Sequence, residues 1–250
     1  MKIKNIMDFT ETFAPLESAM DFDNVGLLIG SEDIEVKKAV VALDITDEVI
    51  DEALENGANL IISHHPVIFD ALKSIPSGSI VYRLIQNNLN ALCLHTNLDL
   101  SAEFGVNTCL AEAVGVKNAE FVEGECLYIG ELEDEVSNEQ FANNVKNALG
   151  CEGLRYTLPE KRVKKVAVCS GSGGDLAPLA SLNGADVLLT GEIKHHEILD
   201  ANKLGIAIVD AGHFKTEDIV ITPFTEKLGE KFPEIEFIRS EKCDDKIKYL

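Results

Sequence analysis

"KKAVVALDITDEVIDEALENGANLIIS", residues Lys37–Ser63, decides the fold because the chain carries the same unit a second time. Laid over it without a gap, "KKVAVCSGSGGDLAPLASLNGADVLLT" (Lys164–Thr190) repeats the paired lysines, the NGA turn and both apolar runs. Self-similarity of this kind means one structural unit used twice. Each copy opens on a β-branched apolar run, AVVAL or VAV, crosses a polar turn and enters a helix-like stretch closed by Asn56-Gly57 or Asn183-Gly184. Glycine just past the last helical turn is the expected helix stop. The run that follows, NLIIS or DVLLT, is continuously apolar rather than alternating, as in a strand covered on both faces of a parallel sheet. The unit is therefore βαβ. A further helix-like stretch ("SIVYRLIQNNL" or "KHHEILDANKL") and a further strand ("NALCL" or "GIAIV") extend each copy.

Working outward, the expected architecture is α/β, with two halves of similar topology: one over 1–120 with its repeat unit at 37–100, the other over 121–250 with its unit at 164–217. Between the copies, "ECLYIGEL" reads as a strand and "SNEQFANNVKNALG" as a helix. A last helix and strand are expected in "TEDIVITPFTEKLGEKF" and "EIEFI", with Pro223 disturbing the helix. The N-terminal "MKIKNIMDFTETFA" reads as the start of an amphipathic helix rather than a targeting segment. No uncharged apolar run approaches membrane-spanning length, so a cytoplasmic protein without membrane association is expected.

The side chains sum to a net charge of −21, from 22 Lys and Arg against 43 Asp and Glu. With no basic cluster to track a phosphate backbone, nucleic acid is excluded as a partner. A polyanionic small substrate would need placed cations. The six cysteines contain no CxxC pair, which fits reduced, mostly buried thiols.

In open α/β sheets, reactive groups collect beyond the carboxyl ends of the strands. All six histidines fall near such ends. His64 and His65 follow NLIIS, and His95 and Asp99 (in "HTNLD") follow NALCL. His195 and His196 come shortly after DVLLTGE, and His213 and Glu217 (in "GHFKTE") follow GIAIV. Imidazole and carboxylate together suit Zn, Fe, Mn or Ni. The four-residue step from His213 to Glu217 puts both on one face if a helix begins there, with Thr216 near its cap. Taken singly, each motif has a plainer explanation: a loop histidine pair, an Asn/Asp turn, or a helix-surface pair. Their joint occurrence at matching strand ends in both copies favours a metal site. His195 and His196 lie in an expected helix and are read as surface or supporting residues. "SGSGG" (Ser170–Gly174) fits neither a dinucleotide fingerprint nor a P-loop and reads as a tight βα turn. "DFDNVGLLIG" (Asp21–Gly30) reads as a turn before a strand. Ser63 lacks the elbow of a serine hydrolase.

DNVGLLIG, SHHP, LHTNLD, CSGSGG, TGEIKHHE and GHFKTE occur in the order found in the NIF-three-like family, whose members bear the name GTP cyclohydrolase I type 2 homologue. The chain resembles that family along essentially its whole length. The resemblance implies two interlinked α/β domains, a dinuclear centre of two divalent metal ions in the cleft between them, and a toroidal homohexamer. The ligands it implies are His64, His65, Asp99, His213 and Glu217, with Glu217 as the bridge. His95 is then a candidate catalytic base or a partner of the ligands. Phe22 departs from the tryptophan that many members carry, and the additional domain some members have near the middle is absent. The implied activity is metal-dependent hydrolysis of a small-molecule substrate, a nucleotide, in which activated water attacks C8 of the guanine ring and formate leaves. The alternatives are a metal (iron) carrier or cofactor-assembly protein, and an adaptor whose metals are structural.

Overall fold

A computed structural model describes residues Met1–Leu250. Its strands are β1 (Gly26–Ile29), β2 (Lys38–Ala42), β3 (Leu60–Ser63), β4 (Asn90–Cys93), β5 (Lys117–Phe121), β6 (Tyr128–Ser137), β7 (Arg155–Tyr156), β8 (Arg162–Cys169), β9 (Val187–Thr190), β10 (Ala207–Asp210) and β11 (Glu236–Arg239). The helices are α1 (Ile3–Thr10), α2 (Asp47–Glu55), α3 (Ile80–Gln86), α4 (Thr96–Asp99), α5 (Val106–Ala113), α6 (Asn138–Ala148), α7 (Ala177–Leu182), α8 (His195–Leu204), α9 (His213–Glu217) and α10 (Ile221–Lys231).

The chain forms two compact units. The first joins Met1–Leu98 to Ile221–Asp244, and the second joins Asp99–Val220 to Asp245–Leu250. Both units are therefore discontinuous along the chain, and the division falls at 98/99 and again at 220/221 and 244/245, not at a single point near 120. Residues 221–244 lie with the first unit because β11 pairs in parallel with β2, Ile238 opposite Val40.

In the first unit the sheet order is β1-β4-β3-β2-β11. Strands β4, β3, β2 and β11 run parallel, and β1 is antiparallel at the edge. The second sheet, ordered β5-β6-β8-β9-β10-β7, has a parallel centre of β8, β9 and β10. Its flanking strands β6 and β7 are antiparallel to β8 and β10. Both sheets are thus mixed. The repeat accounts for their shared part: β2-α2-β3-α3-β4 corresponds to β8-α7-β9-α8-β10, and each third strand carries an antiparallel edge strand.

Local chemistry explains the helix limits. Thr46 caps α2 by accepting the Val49 N–H, and Asp47 and Glu48 face the positive end of the helix. Gly57 and Gly184 follow α2 and α7 in the left-handed region, at φ +67° and +77°, as the NGA motif predicts. Pro223 is the third residue of α10, where the first turn needs no amide donor, so the helix proceeds. The continuous apolar runs are buried on both faces. Val166 and Val168 enter one core of the second unit with Phe141 and Val145, while Ala167 and Cys169 enter the other with Leu188 and Ile208. No helix is long and apolar enough to cross a membrane. All six cysteines are free thiols, four of them buried.

Candidate metal centre

Strand β3 ends at Ser63, and the chain turns at once into His64 and His65; β4 ends at Cys93, two residues before His95. Neighbouring parallel strands thus deliver three imidazoles to one end of the first sheet. Ring centroids lie 5.2 Å apart for His64 and His65, 5.1 Å for His64 and His95, and 5.6 Å for His65 and His95. One ligand atom from each lies within 4.8 Å of the others, a spacing that can hold a metal ion.

Each ring is fixed through Nδ1. That of His64 is 2.9 Å from the Leu94 carbonyl, that of His65 is 2.8 Å from Asp44 Oδ1, and that of His95 is 2.9 Å from both carboxylate oxygens of Asp23. A carbonyl or carboxylate oxygen only accepts, so each Nδ1 carries the proton and donates. In the neutral ring the lone pair is then on Nε2, the arrangement typical of metal-holding histidines. The carboxylate of Asp23 is enclosed and also accepts from the amide and hydroxyl of Thr96. Burial raises its pKa, but the hydrogen bonds from His95 and Thr96 outweigh burial and hold it below the ordinary carboxylate range. Asp44 is positioned in turn: its amide donates to Cys243 Sγ at 3.4 Å.

In the second unit α9 begins at His213, directly after Gly212 at φ +87°, and ends at Glu217. The helical step brings His213 Nε2 to 3.0 Å from Glu217 Oε2, with Glu192 Oε1 3.4 Å from Nδ1. Thr216 accepts the Gly171 amide through Oγ1 at 3.1 Å, which draws the SGSGG turn onto this helix. A methyl group on Gly171 would lie 2.1 Å from Glu217 Oε1, so the glycine makes room for a buried carboxylate. Asp99 is buried, with Ser170 Oγ donating to its Oδ1 at 3.4 Å. Asn107 ties this corner together, donating to the Asp99 carbonyl and accepting the Ser170 amide.

The first-unit donors His64 and His65 are thus brought together with His95, and His213 is brought to Glu217. His195 and His196 lie at the exposed start of α8, apart from any such group. Sequence reasoning missed Asp23 and Asp44. Asp44 carried a legible signal, since it stands two residues beyond the end of β2, a strand-end position like those of the histidines.

The donor chemistry fits a borderline divalent metal: imidazoles with fixed tautomers and buried carboxylates, with no thiolate among them. Fold and donors together define a two-unit α/β protein with a histidine cluster able to hold metal ions. The chain belongs to the Duf34/NIF3 (NGG1p interacting factor 3) family, whose model matches residues 1–246. It is 35% identical over 263 residues to a GTP cyclohydrolase 1 type 2 homolog of Clostridium perfringens, covering 100% of both chains. It is 36% identical to a protein of the same name from Clostridium acetobutylicum, over 91% of this chain and 90% of that one. A crystal structure of a hypothetical protein from Staphylococcus aureus superposes with a TM-score of 0.93 at 31% identity, covering 100% of this chain and 99% of that chain.

Proposed function

We propose that the protein is a metal-dependent hydrolase of the GTP cyclohydrolase 1 type 2 homologue class, acting on a small nucleotide-like molecule. In this reading His64, His65, Asp99, His213 and Glu217 hold two divalent ions. The observation that carries it is the common fixing of His64, His65 and His95 through Nδ1, which points their remaining nitrogens at a shared partner. Two such ions would acidify water toward neutrality and polarise the bond to be broken. The chain's own contribution is to hold the imidazoles in one tautomer and to set the buried Glu217 carboxylate beside His213. His95, anchored by Asp23, is the group best placed to take a proton from water. The family resemblance further supports a homohexamer, which sedimentation would measure.

A second reading, a metal carrier without hydrolase activity, is favoured by the shortage of unpaired cations. The cavity of about 450 Å³ beside His213 is lined by Arg155 and Lys194, yet Arg155 is paired with Asp210 and Lys194 with Glu197. A triphosphate finds little to neutralise it there. Elemental analysis combined with a nucleotide screen, GTP included, before and after chelation, separates the two. Turnover that chelation abolishes selects the hydrolase. Bound metal with no turnover on any nucleotide selects the carrier and ends the first reading.

A further inference from the structure

Two aromatic side chains stand in solvent at the edge of the histidine cluster. Phe22 is 61% exposed and Phe69 48% exposed, unusual for phenylalanine, and their rings approach to 6.2 Å with a 40° tilt. Phe69 also lies 6.4 Å from the ring of His95, nearly perpendicular to it. Neither is carried by an arbitrary loop. Phe22 immediately precedes Asp23, the carboxylate that fixes His95, and Phe69 stands four residues beyond His65. The two loops are tied together by Asn24, whose side-chain amide donates to the Ile68 carbonyl at 2.6 Å. The segments that orient the imidazoles therefore also hold the aromatic pair in place.

We infer that Phe22 and Phe69 form a stacking shelf for a planar heteroaromatic ring, the part of the substrate presented to the histidines; the inference rests on the metal-centre reading of that cluster. Exposed aromatic faces accept any planar ring by stacking and dispersion. The carboxylates on the same loops, Asp21, Asp23 and Asp70, argue against a phosphate lying there. The occupant is an uncharged ring, such as a purine base, and any phosphate it carries points away from the shelf.

The chain contains no tryptophan, so Phe22→Trp installs a single reporter on the shelf. Its emission should be quenched saturably by guanosine, adenosine or hypoxanthine and left unchanged by ribose. Adding Phe69→Ala should weaken that binding about tenfold, the scale of one lost stacking contact. In the native background, Phe69→Leu, which keeps apolar bulk without a ring, should weaken purine binding measured calorimetrically, with an unchanged circular dichroism spectrum showing that the fold is intact. All titrations are run on metal-loaded and on chelated protein, with metal content measured separately. Absence of purine binding in protein that holds metal overturns the shelf and leaves the metal reading standing. Purine binding in protein that takes up no metal does the reverse. Purine binding that is insensitive to both Phe69 variants, with a loss of oligomeric state in their place, assigns the rings to a contact between copies and overturns the inference.

Discussion

His95 donates through Nδ1 to both oxygens of the enclosed Asp23 carboxylate, each at 2.9 Å, across 72 positions of sequence. Replacing the carboxylate with an amide in Asp23→Asn leaves one acceptor oxygen, removes the charge that favours donation from Nδ1, and frees the ring to adopt the other tautomer. Metal affinity should fall about 10- to 100-fold, the usual cost of losing such a partner, as competition with a chromogenic chelator would measure. The same variant should alter acid stability. The folded pKa of Asp23 lies below its ordinary value of 3.8, so the unfolded chain takes up the proton first. The resulting stabilisation is complete above that value and lost as pH falls below it. Asp23→Asn should therefore lose less stability than the parent on acidification below pH 3.8.

Gly171 and Glu217 give a steric test. At φ +58°, with a methyl group 2.1 Å from Glu217 Oε1 and 3.3 Å from His213 Nε2, Gly171→Ala must displace the carboxylate or the turn. The strain is worth about 1–3 kcal/mol. Thermal unfolding should shift down accordingly, and bound metal should fall together with it.

Glu52 is a buried carboxylate on α2 that takes the Ser240 hydroxyl and the Glu241 amide, while Ser240 Oγ accepts the amides of Lys242 and Cys243. This staples residues 240–243 to the helix and sets the Cys243 sulfur against the Asp44 amide. Glu52→Ala should cost about 2–4 kcal/mol in urea unfolding, because the Ser240 hydroxyl and the Glu241 amide lose their shared acceptor together. His65, held by Asp44, should show an altered imidazole NMR signal in the metal-free protein.

Cys109 and Cys169 should be unreactive in the folded chain. Burial pushes Cys109 up to about 11 and Cys169 well above its ordinary value, and the neighbouring carboxylates add to both shifts. At pH 8 the thiolate fraction of Cys109 is then about one in a thousand, and iodoacetamide should modify it only after unfolding. Raising the pH toward 11 should restore its reactivity and, since the unfolded chain loses that proton first, weaken the fold over the same range. Mass spectrometry of the alkylated peptides would report both.

The βαβαβ units were legible because the two NGA turns, the paired lysines and the strand-end histidines are all encoded within short windows. The flanking strands were less so. Nothing in "EIEFI" says that β11 returns to β2 rather than joining the nearer sheet, because edge pairing is decided by which edge is open, a property of the assembled unit. For the same reason the role of Asp23 was hidden, and that of Asp44 was signalled only by its place just beyond β2. An aspartate in a turn looks alike whether it caps a loop or receives an imidazole proton from far along the chain. The His213–Glu217 pair was readable because its partners are one helical turn apart.

The return of β11 has a consequence for biosynthesis. A ribosome releases the chain from its first residue onward, and the sheet bearing His64, His65 and His95 gains its fifth strand only when residues 236–239 emerge. The intervening polypeptide, including all of β5 to β10, is by then already outside. A nascent chain stalled before that point displays the edge of β2 unpaired, an invitation to chaperones or to aggregation, and the Asp44 amide has yet to meet the sulfur of Cys243.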